Sequence, residues 1–459
     1  MKKEVNKPMA QRLFGTDGVR GIANQDLGPD LAMRLAYSAV RTLFPANDRR
    51  AQVIIGHDTR LSCQMLEAAL VAGFTAAGAD VYLVGVVPTP GVAYLVQRHR
   101  CDLGVVISAS HNSYEYNGIK IFDCHGFKLP DEVEDQIESN LDLFADPEDR
   151  PQGDQLGKAE VLPEGALEYR LHLEEQAGLD LSGLRIALDL ANGAATAVAP
   201  QLFQDLGAEV RLLADQPDGT NINKDCGSTH VEHLAEFVRG EGLDLGLAFD
   251  GDADRLMAVD DQGQVLDGDV MLAILAKDMH EQGLLDEDTL VVTVMSNIGL
   301  DIMAEAAGIS LQKTRVGDRY VLDEMRKGGY KLGGEQSGHL IFLDDSSTGD
   351  GILSALKLLA VVRRKGQKLS QLREVISIYP QVLVNVRVAD SSKPAVMADP
   401  EVAEACRRLE ERMEQQGRVL LRSSGTEPYI RIMLEGRDEL EIQVLAEELA
   451  QFIQEKYGN

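Results

Sequence analysis

Three stretches of the chain repeat one plan: a short apolar strand, a loop of small polar residues, a helix and a second strand. The first runs from Val53-Ile54-Ile55 through a loop at Gly56 to Arg60. Its helix opens near Ser62, carries Leu66, Leu70 and Phe74 four apart on one face, ends at Gly78 and leads to a strand over Val81 to Val84. The second has a strand from Arg185 to Leu190, a turn over Ala191 to Ala194, a helix ending near Gly207, and a strand from Glu209 to Leu213. The third has Leu290 to Val294, a turn over Met295 to Gly299, a helix to Gly308, and Ser310 to Lys313. Strands this apolar, separated by helices, predict mixed or parallel α/β sheets covered on both faces. Three such modules in one chain point to internal duplication.

The last part breaks the plan. A strand from Gln381 to Val388 leads to a charged helix from about Asp399 to Gln415, and then to strands at Arg418 to Leu421 and Tyr429 to Leu434. A terminal amphipathic helix follows, so this part reads as a small α+β domain. Seams fall in the acidic, proline-containing stretch Ala145 to Pro163, after Val259, and before Tyr379. The expectation is four domains, over 1–163, 164–260, 261–376 and 377–459.

Charge narrows the function. A formal net charge of −29 repels nucleic-acid phosphates and anionic membrane surfaces, so no nucleic-acid or membrane partner is expected. No run of about 18 apolar residues occurs. The N-terminal stretch has no apolar signal region, and a cytoplasmic protein is expected. Five widely spaced cysteines (Cys63, Cys101, Cys124, Cys226, Cys406) with no CxxC read as reduced, structural thiols.

The sharpest local signal is Phe249-Asp250-Gly251-Asp252-Ala253-Asp254-Arg255. A buried strand delivers three aspartates separated by glycine and alanine, so three carboxylates can converge on one hard cation such as Mg2+. It is not a calcium loop of the helix–loop–helix kind, because the twelfth position is Asp261 rather than glutamate. A second strand ends in Ile107-Ser108-Ala109-Ser110-His111-Asn112, followed by Asn117-Gly118-Ile119-Lys120. Serine on such a platform suits a nucleophile or a phosphorylated residue, and no GxSxG elbow surrounds it. Arg422-Ser423-Ser424-Gly425-Thr426-Glu427-Pro428, with Arg431 beyond, offers hydroxyls, open backbone and two guanidinium groups to a phosphate. The GxxxxGK[ST] pattern of nucleotide triphosphate sites is absent. Gly334-Glu335-Gln336-Ser337-Gly338-His339 offers a carboxylate, a hydroxyl and an imidazole for sugar hydroxyls. Phe14 to Gly21 carries Arg20, and Arg315 to Arg319 adds two more cations. His57-Asp58-Thr59-Arg60 reads as a structural Asp–Arg pair.

Together these segments resemble the α-D-phosphohexomutase superfamily, over essentially the whole chain and in its order. The resemblance rests on the serine loop ISASHN, the metal loop DGDADR, the sugar loop GEQSGH and the phosphate loop RSSGTEP. LFGTDGVRG, the glutamine of GEQSGH and RSSGTEPYIR are similar to the branch acting on glucosamine phosphates rather than mannose and glucose phosphates. The resemblance implies three similar α/β domains and a smaller C-terminal α+β domain around a central cleft. It implies that Ser110 carries the phosphoryl group, with His111 beside it, and that Ser110, Asp250, Asp252 and Asp254 hold Mg2+. Lys120, as a candidate acid/base, Arg255 and Arg20 would lie at the reacting phosphate. Glu335, Ser337 and His339 would hold the sugar, and Arg422, Ser424, Gly425, Thr426 and Arg431 the other phosphate. A hexosamine phosphate is the implied substrate and a sugar 1,6-bisphosphate the implied activator and intermediate, with a homodimer as the assembly considered. Ser113 stands where the family often has proline, which would loosen the loop without removing its chemistry.

Overall fold

The computed structural model describes residues 12–15, 17–45, 49–145, 150–413, 417–424 and 428–458. It divides into two compact units, one up to Met295 plus Ile309–Glu374, the other Ser296–Gly308 plus Val375–Asn459.

The first unit holds three sheets. The first is built from β1 (Phe14–Gly15), β2 (Gly18–Ile22), β3 (Gln52–His57), β4 (Asp80–Val86), β5 (Leu103–Ile107), β6 (Tyr116–Phe122) and β7 (Ala159–Val161), in the order β1-β2-β6-β5-β3-β4-β7. The second holds β8 (Arg185–Asp189), β9 (Glu209–Leu213), β10 (Leu245–Phe249), β11 (Leu256–Asp260) and β12 (Val265–Leu266), in the order β12-β11-β10-β8-β9. The third holds β13 (Thr289–Thr293), β14 (Ser310–Thr314), β15 (Leu332–Gly334) and β16 (Leu340–Phe342), in the order β14-β13-β15-β16.

One four-strand pattern recurs. In each sheet a first strand (β3, β8, β13) is flanked by two parallel neighbours: the second strand of the module (β4, β9, β14) and a third (β5, β10, β15). A fourth strand (β6, β11, β16) then turns back antiparallel along the third. The duplication expected from the sequence is thus present as topology. The sheets are mixed rather than purely parallel. β6 overlaps a segment that reads as chemistry (Asn117 to Lys120) and β11 runs into the boundary expected after Val259, so periodicity alone does not separate them.

Burial explains why the third strands read as apolar runs. Every residue of β5 (LGVVI) and of β10 (LGLAF) is buried. Val53, Ile55, Val105 and Ile107 pack with Leu66, Leu70 and Phe74 of the helix Cys63–Ala76, as their four-residue spacing predicts. The second module's helix is split into a short turn Ala194–Ala197 and a helix Ala199–Asp205, because Pro200 has no N–H to donate back and so starts a helix afresh. The helix Gly351–Lys365 is buried along much of its length. Asp350 caps it by accepting from the Leu353 N–H, and Arg363, Arg364 and Lys365 oppose its dipole at the far end.

The second unit holds β17 (Gln381–Arg387), β18 (Arg418–Ser423) and β19 (Tyr429–Glu435), antiparallel in the order β17-β19-β18. The helices Pro400–Arg412 and Glu439–Tyr457 contribute Val402, Leu409, Ile442, Leu445 and Leu449 to its core. The helix Ile298–Ala307 belongs to this unit. The Asn297 side chain exchanges hydrogen bonds with the Tyr379 backbone (2.9 and 3.0 Å), and the Ile298 N–H donates to Glu435 (3.3 Å).

All five cysteines are free. Cys63, Cys101 and Cys226 are buried structural thiols as expected, whereas Cys124 is exposed at the tip of the turn after β6 and packs no core. Among the described residues no helix is long and apolar enough to cross a membrane.

Candidate active site

The repeated topology positions the chemistry. The serine loop joins β5 to β6, the aspartate loop joins β10 to β11, and the sugar loop joins β15 to β16. Each is therefore the turn at which a buried parallel strand reverses into an antiparallel one. At that point the backbone leaves the sheet and its polar side chains are released from strand alternation. The three equivalent turns meet. A Cβ on Gly251 would lie 2.5 Å from the Ser110 carbonyl oxygen, and one on Gly338 would lie 2.0 Å from that of Leu256. Only glycine permits either approach.

Ser110 is 1% exposed and sits at φ +51°, a left-handed conformation unusual for serine. Its Oγ donates to Asp250 Oδ2 at 2.6 Å, and its N–H donates to Ser108 Oγ at 2.9 Å. His111 Nδ1 lies 3.4 Å from the same Oγ. Burial, then the charges of Arg255 and Arg20, push the His111 imidazolium down to about 4, so the ring is neutral near pH 7.

Carboxylate oxygens of Asp250, Asp252 and Asp254 lie within 4.8 Å of one another, all buried. Asp252 Oδ1 and Asp254 Oδ1 have no hydrogen-bond partner among the described residues. Burial, and then repulsion from Asp254 and Asp252, raise the Asp250 carboxyl well above the usual range. Three hard oxygen ligands, two of them orphaned and together short of positive charge, fit a divalent cation.

Lys120 is 1% exposed, not the solvated surface lysine that a lone residue would suggest. Its Nζ lies 2.9 Å from Asp252 Oδ2, 3.2 Å from Asp17 Oδ2 and 3.5 Å from Asp254 Oδ2. Burial opposes its charge, but Asp17, Asp252 and Asp254 outweigh it and hold the ammonium form. From Asp17 the alternation continues to Lys128 (2.5 Å) and on to Asp318 (2.6 Å). His339 closes the ring, with Nε2 at 3.7 Å from Asp318 and Nδ1 at 3.7 Å from Asp254. The Gly349 N–H donates to His339 Nε2 at 3.1 Å, which leaves the ring proton on Nδ1, toward Asp254. Arg20 pairs with Asp17 and reaches Asn112 Oδ1 at 3.4 Å, while Arg255 Nε lies 3.8 Å from Asp254.

In the sugar loop, Glu335 Oε1 accepts from the Gly317 N–H at 2.9 Å. Ser337 Oγ is buried with no hydrogen-bond partner among the described residues, as expected of a hydroxyl that awaits a ligand. The first unit thus gathers Ser110, His111, Lys120, Arg20, Arg255, the three aspartates, Glu335, Ser337 and His339.

Arg422, Ser424 and Arg431 lie in the second unit. Arg422 and Arg431 stand directly opposite each other on β18 and β19, an arrangement of like charges that favours an anion between them. Burial and Arg431 both lower the Arg422 guanidinium. The Ser424 carbonyl accepts from Lys393 Nζ at 2.8 Å. Gly425 and Thr426 lie outside the described residues.

Several members were not singled out in the sequence. Asp17 and Asp318 stand inside the motifs that drew attention to Arg20 and to Arg315 and Arg319, but acidic residues in a basic loop read as pairs. Thr89 Oγ1 donates to Asp252 Oδ2 at 2.6 Å, and nothing in its local sequence signals this. Asn223 donates to the serine loop; its only signal is a run of turn-forming residues, DGTNINKDCG. Arg60 forms the expected pair with Asp58 at 2.9 Å, and also reaches the serine loop.

Comparison with known proteins agrees with this geometry. Models of the phosphoglucomutase/phosphomannomutase family match in series: alpha/beta/alpha domain I over residues 11–144, domain II over 168–263, domain III over 267–379 and the C-terminal domain over 383–452. A phosphoglucosamine mutase of Acetivibrio thermocellus is 48% identical over 447 residues, covering 97% of this chain and 100% of that protein. One of Alkaliphilus oremlandii is 50% identical, covering 97% and 99%. A crystal structure of a phosphoglucomutase/phosphomannomutase family protein from Burkholderia thailandensis superposes with a TM-score of 0.79 at 21% identity, over 97% of each chain. The chain belongs to the phosphoglucomutase/phosphomannomutase family of phosphohexomutases, with phosphoglucosamine mutases as relatives at about half identity over nearly all its length.

Proposed function

We propose that this protein interconverts glucosamine 6-phosphate and glucosamine 1-phosphate, with Ser110 as the phosphoryl carrier and a sugar 1,6-bisphosphate as the bound intermediate. The observation that carries the reading is the 2.6 Å contact of Ser110 Oγ with Asp250, inside a carboxylate triad whose Asp252 and Asp254 are bridged by Lys120. The relatives at about half identity support the amino-sugar substrate. Asp250, Asp252, Asp254 and the Ser110 oxygen would hold Mg2+, which when bound draws charge from the phosphoryl oxygens.

The chain's own residues do the rest. A sugar hydroxyl oxygen forms a bond to phosphorus as the Ser110 Oγ–P bond breaks, and the hydroxyl proton is passed on so that Ser110 ends as a neutral hydroxyl. Lys120 in its ammonium form supplies positive charge beside the transferring group, together with Arg20 and Arg255. Glu335, Ser337 and His339 orient the sugar, and Arg422, Ser424, Gly425, Thr426 and Arg431 hold the phosphate that does not react. The bisphosphate turns over, and its other phosphate returns to Ser110. The four matched family domains support a four-domain organisation, and its free thiols fit work in the cytoplasm.

The test is phosphorus NMR of the protein with Mg2+, a trace of glucose 1,6-bisphosphate and either glucosamine 6-phosphate or glucose 6-phosphate. Faster formation of the amino-sugar 1-phosphate is expected. Preference for glucose would move the substrate to the neighbouring branch, and release of free phosphate alone would overturn the mutase reading.

A further inference from the structure

The Ser110 backbone is held from behind by a clamp with two jaws. Arg60 Nη2 donates to the carbonyl oxygens of Ser110 (2.9 Å) and Asn112 (2.8 Å). Asn223 Nδ2 donates to the same two oxygens, at 2.8 and 2.9 Å. Arg60 follows β3 in the first sheet, whereas Asn223 lies on the loop after β9 in the second, so the jaws come from two sheets. Both side chains are buried, at 2% and 8% exposure. The Asn223 backbone is itself left-handed (φ +57°) and pinned by its N–H donating to the Ala191 carbonyl at 2.9 Å. With two carbonyl oxygens facing the amide, only its NH2 end can point at them.

We infer that Asn223 is a positioning residue for phosphoryl transfer, one that holds Ser110 in its left-handed conformation and thereby aims Oγ at Asp250. A left-handed serine is strained, and four hydrogen bonds on the Ser110 and Asn112 carbonyls offset that strain. In a trans peptide the N–H points opposite to the C=O. Drawing the Ser110 and Asn112 carbonyls into the clamp therefore turns the N–H groups of His111 and Ser113 away from it. Neither N–H donates to an acceptor among the described residues, so both are available to phosphoryl oxygens. Arg60 also binds Asp58, Ser113 and Tyr116, and so serves the loop as a whole. Asn223 is the jaw through which the second sheet, which carries the aspartates, sets the serine against them.

This inference rests on the reading of Ser110 as phosphoryl carrier, and the test keeps the two apart. Asn223→Asp preserves shape and tolerance of the left-handed backbone but replaces the donor with a carboxylate that repels both carbonyls. With glucosamine 6-phosphate and glucose 1,6-bisphosphate, its kcat is expected to fall about 100-fold, as for a misplaced reacting group. KM should stay within about threefold, and mass spectrometry should show Ser110 phosphorylation by the bisphosphate slowed in step with kcat. Asn223→Gly, which removes the donor and adopts the left-handed φ without cost, gives the same reading if the aspartate variant does not fold. Either folded variant with kcat within about twofold of wild type would overturn the clamp's role. Wild-type turnover with no phosphate on Ser110 would instead overturn the function reading beneath it.

Discussion

Ser110 and Asp250 are separated by 140 positions in the chain, yet Ser110 Oγ donates to the Asp250 carboxylate at 2.6 Å. The serine lies in the loop after β5 and the aspartate in the equivalent loop after β10, so the contact joins equivalent turns of two repeats. Ser110→Ala keeps the buried backbone and the clamp but removes the proposed phosphoryl carrier. Turnover is expected to fall at least about 1,000-fold, with the melting temperature changed by only a few degrees. Phosphorus NMR beside a thermal melt checks both halves, and wild-type-like turnover would remove Ser110 from the mechanism.

The orphaned oxygens of Asp252 and Asp254 predict that a divalent cation stabilises the fold as well as the reaction. Mg2+ at about 100 times its dissociation constant should add about 2.7 kcal/mol of stability, read as a raised melting temperature that a chelator reverses. Asp252→Asn, which removes one ligand charge, should lose most of that shift. An equal shift in the variant would show that the cation binds elsewhere.

Arg60 is fully buried against Asp58 and donates to four carbonyls of the serine loop. Arg60→Met leaves Asp58 charged and uncompensated, and should cost about 3–5 kcal/mol in denaturant unfolding. A loss below about 1 kcal/mol would mean that the loop holds itself without the guanidinium.

Asp350 accepts from Tyr169 Oη at 2.6 Å and from the Leu353 N–H at 2.9 Å, and burial raises its carboxyl to about 6 from an ordinary 3.8. The folded state therefore holds a proton there that the unfolded state has released. This contribution to stability is complete below about pH 4 and is lost as pH rises through about 6, with a span on the order of 3 kcal/mol. Asn at this position mimics the protonated acid. Asp350→Asn should match wild type near pH 4 and be the more stable of the two at pH 7, which unfolding curves at both values would decide. A difference independent of pH would mean that the carboxyl does not titrate in this range.

Much of this was legible in the sequence where the signal is local. The β5 and β10 runs are buried at every position, so their composition declared them, and the alternation of aspartate with small residues after Phe249 declared a carboxylate cluster fit for a cation. Strands and helices of the three modules fall within a few residues of their expected ends. The antiparallel fourth strands were not legible. β6 (YNGIKIF) carries Asn117 and Lys120 among its buried residues, so its pattern did not read as a strand. Lys120 reads in the sequence as a cation near a phosphate, but its burial among Asp17, Asp252 and Asp254 depends on residues far along the chain.

By itself the sequence determined the family, the α/β modules and which four loops are candidates for the serine, aspartate, sugar and phosphate roles. Each of these depends on residues within a few positions of one another. Tertiary structure alone decided that the three loops are the same turn of a repeated sheet. It also decided that Asp17, Lys128 and Asp318 link Lys120 to His339, whose other face lies against Asp254, and that Arg60 and Asn223 grip Ser110 from behind. The physical reason is range. Propensity and periodicity act over one strand or one helical turn, whereas burial of charge and the partners of a backbone carbonyl are set by whatever the fold brings alongside.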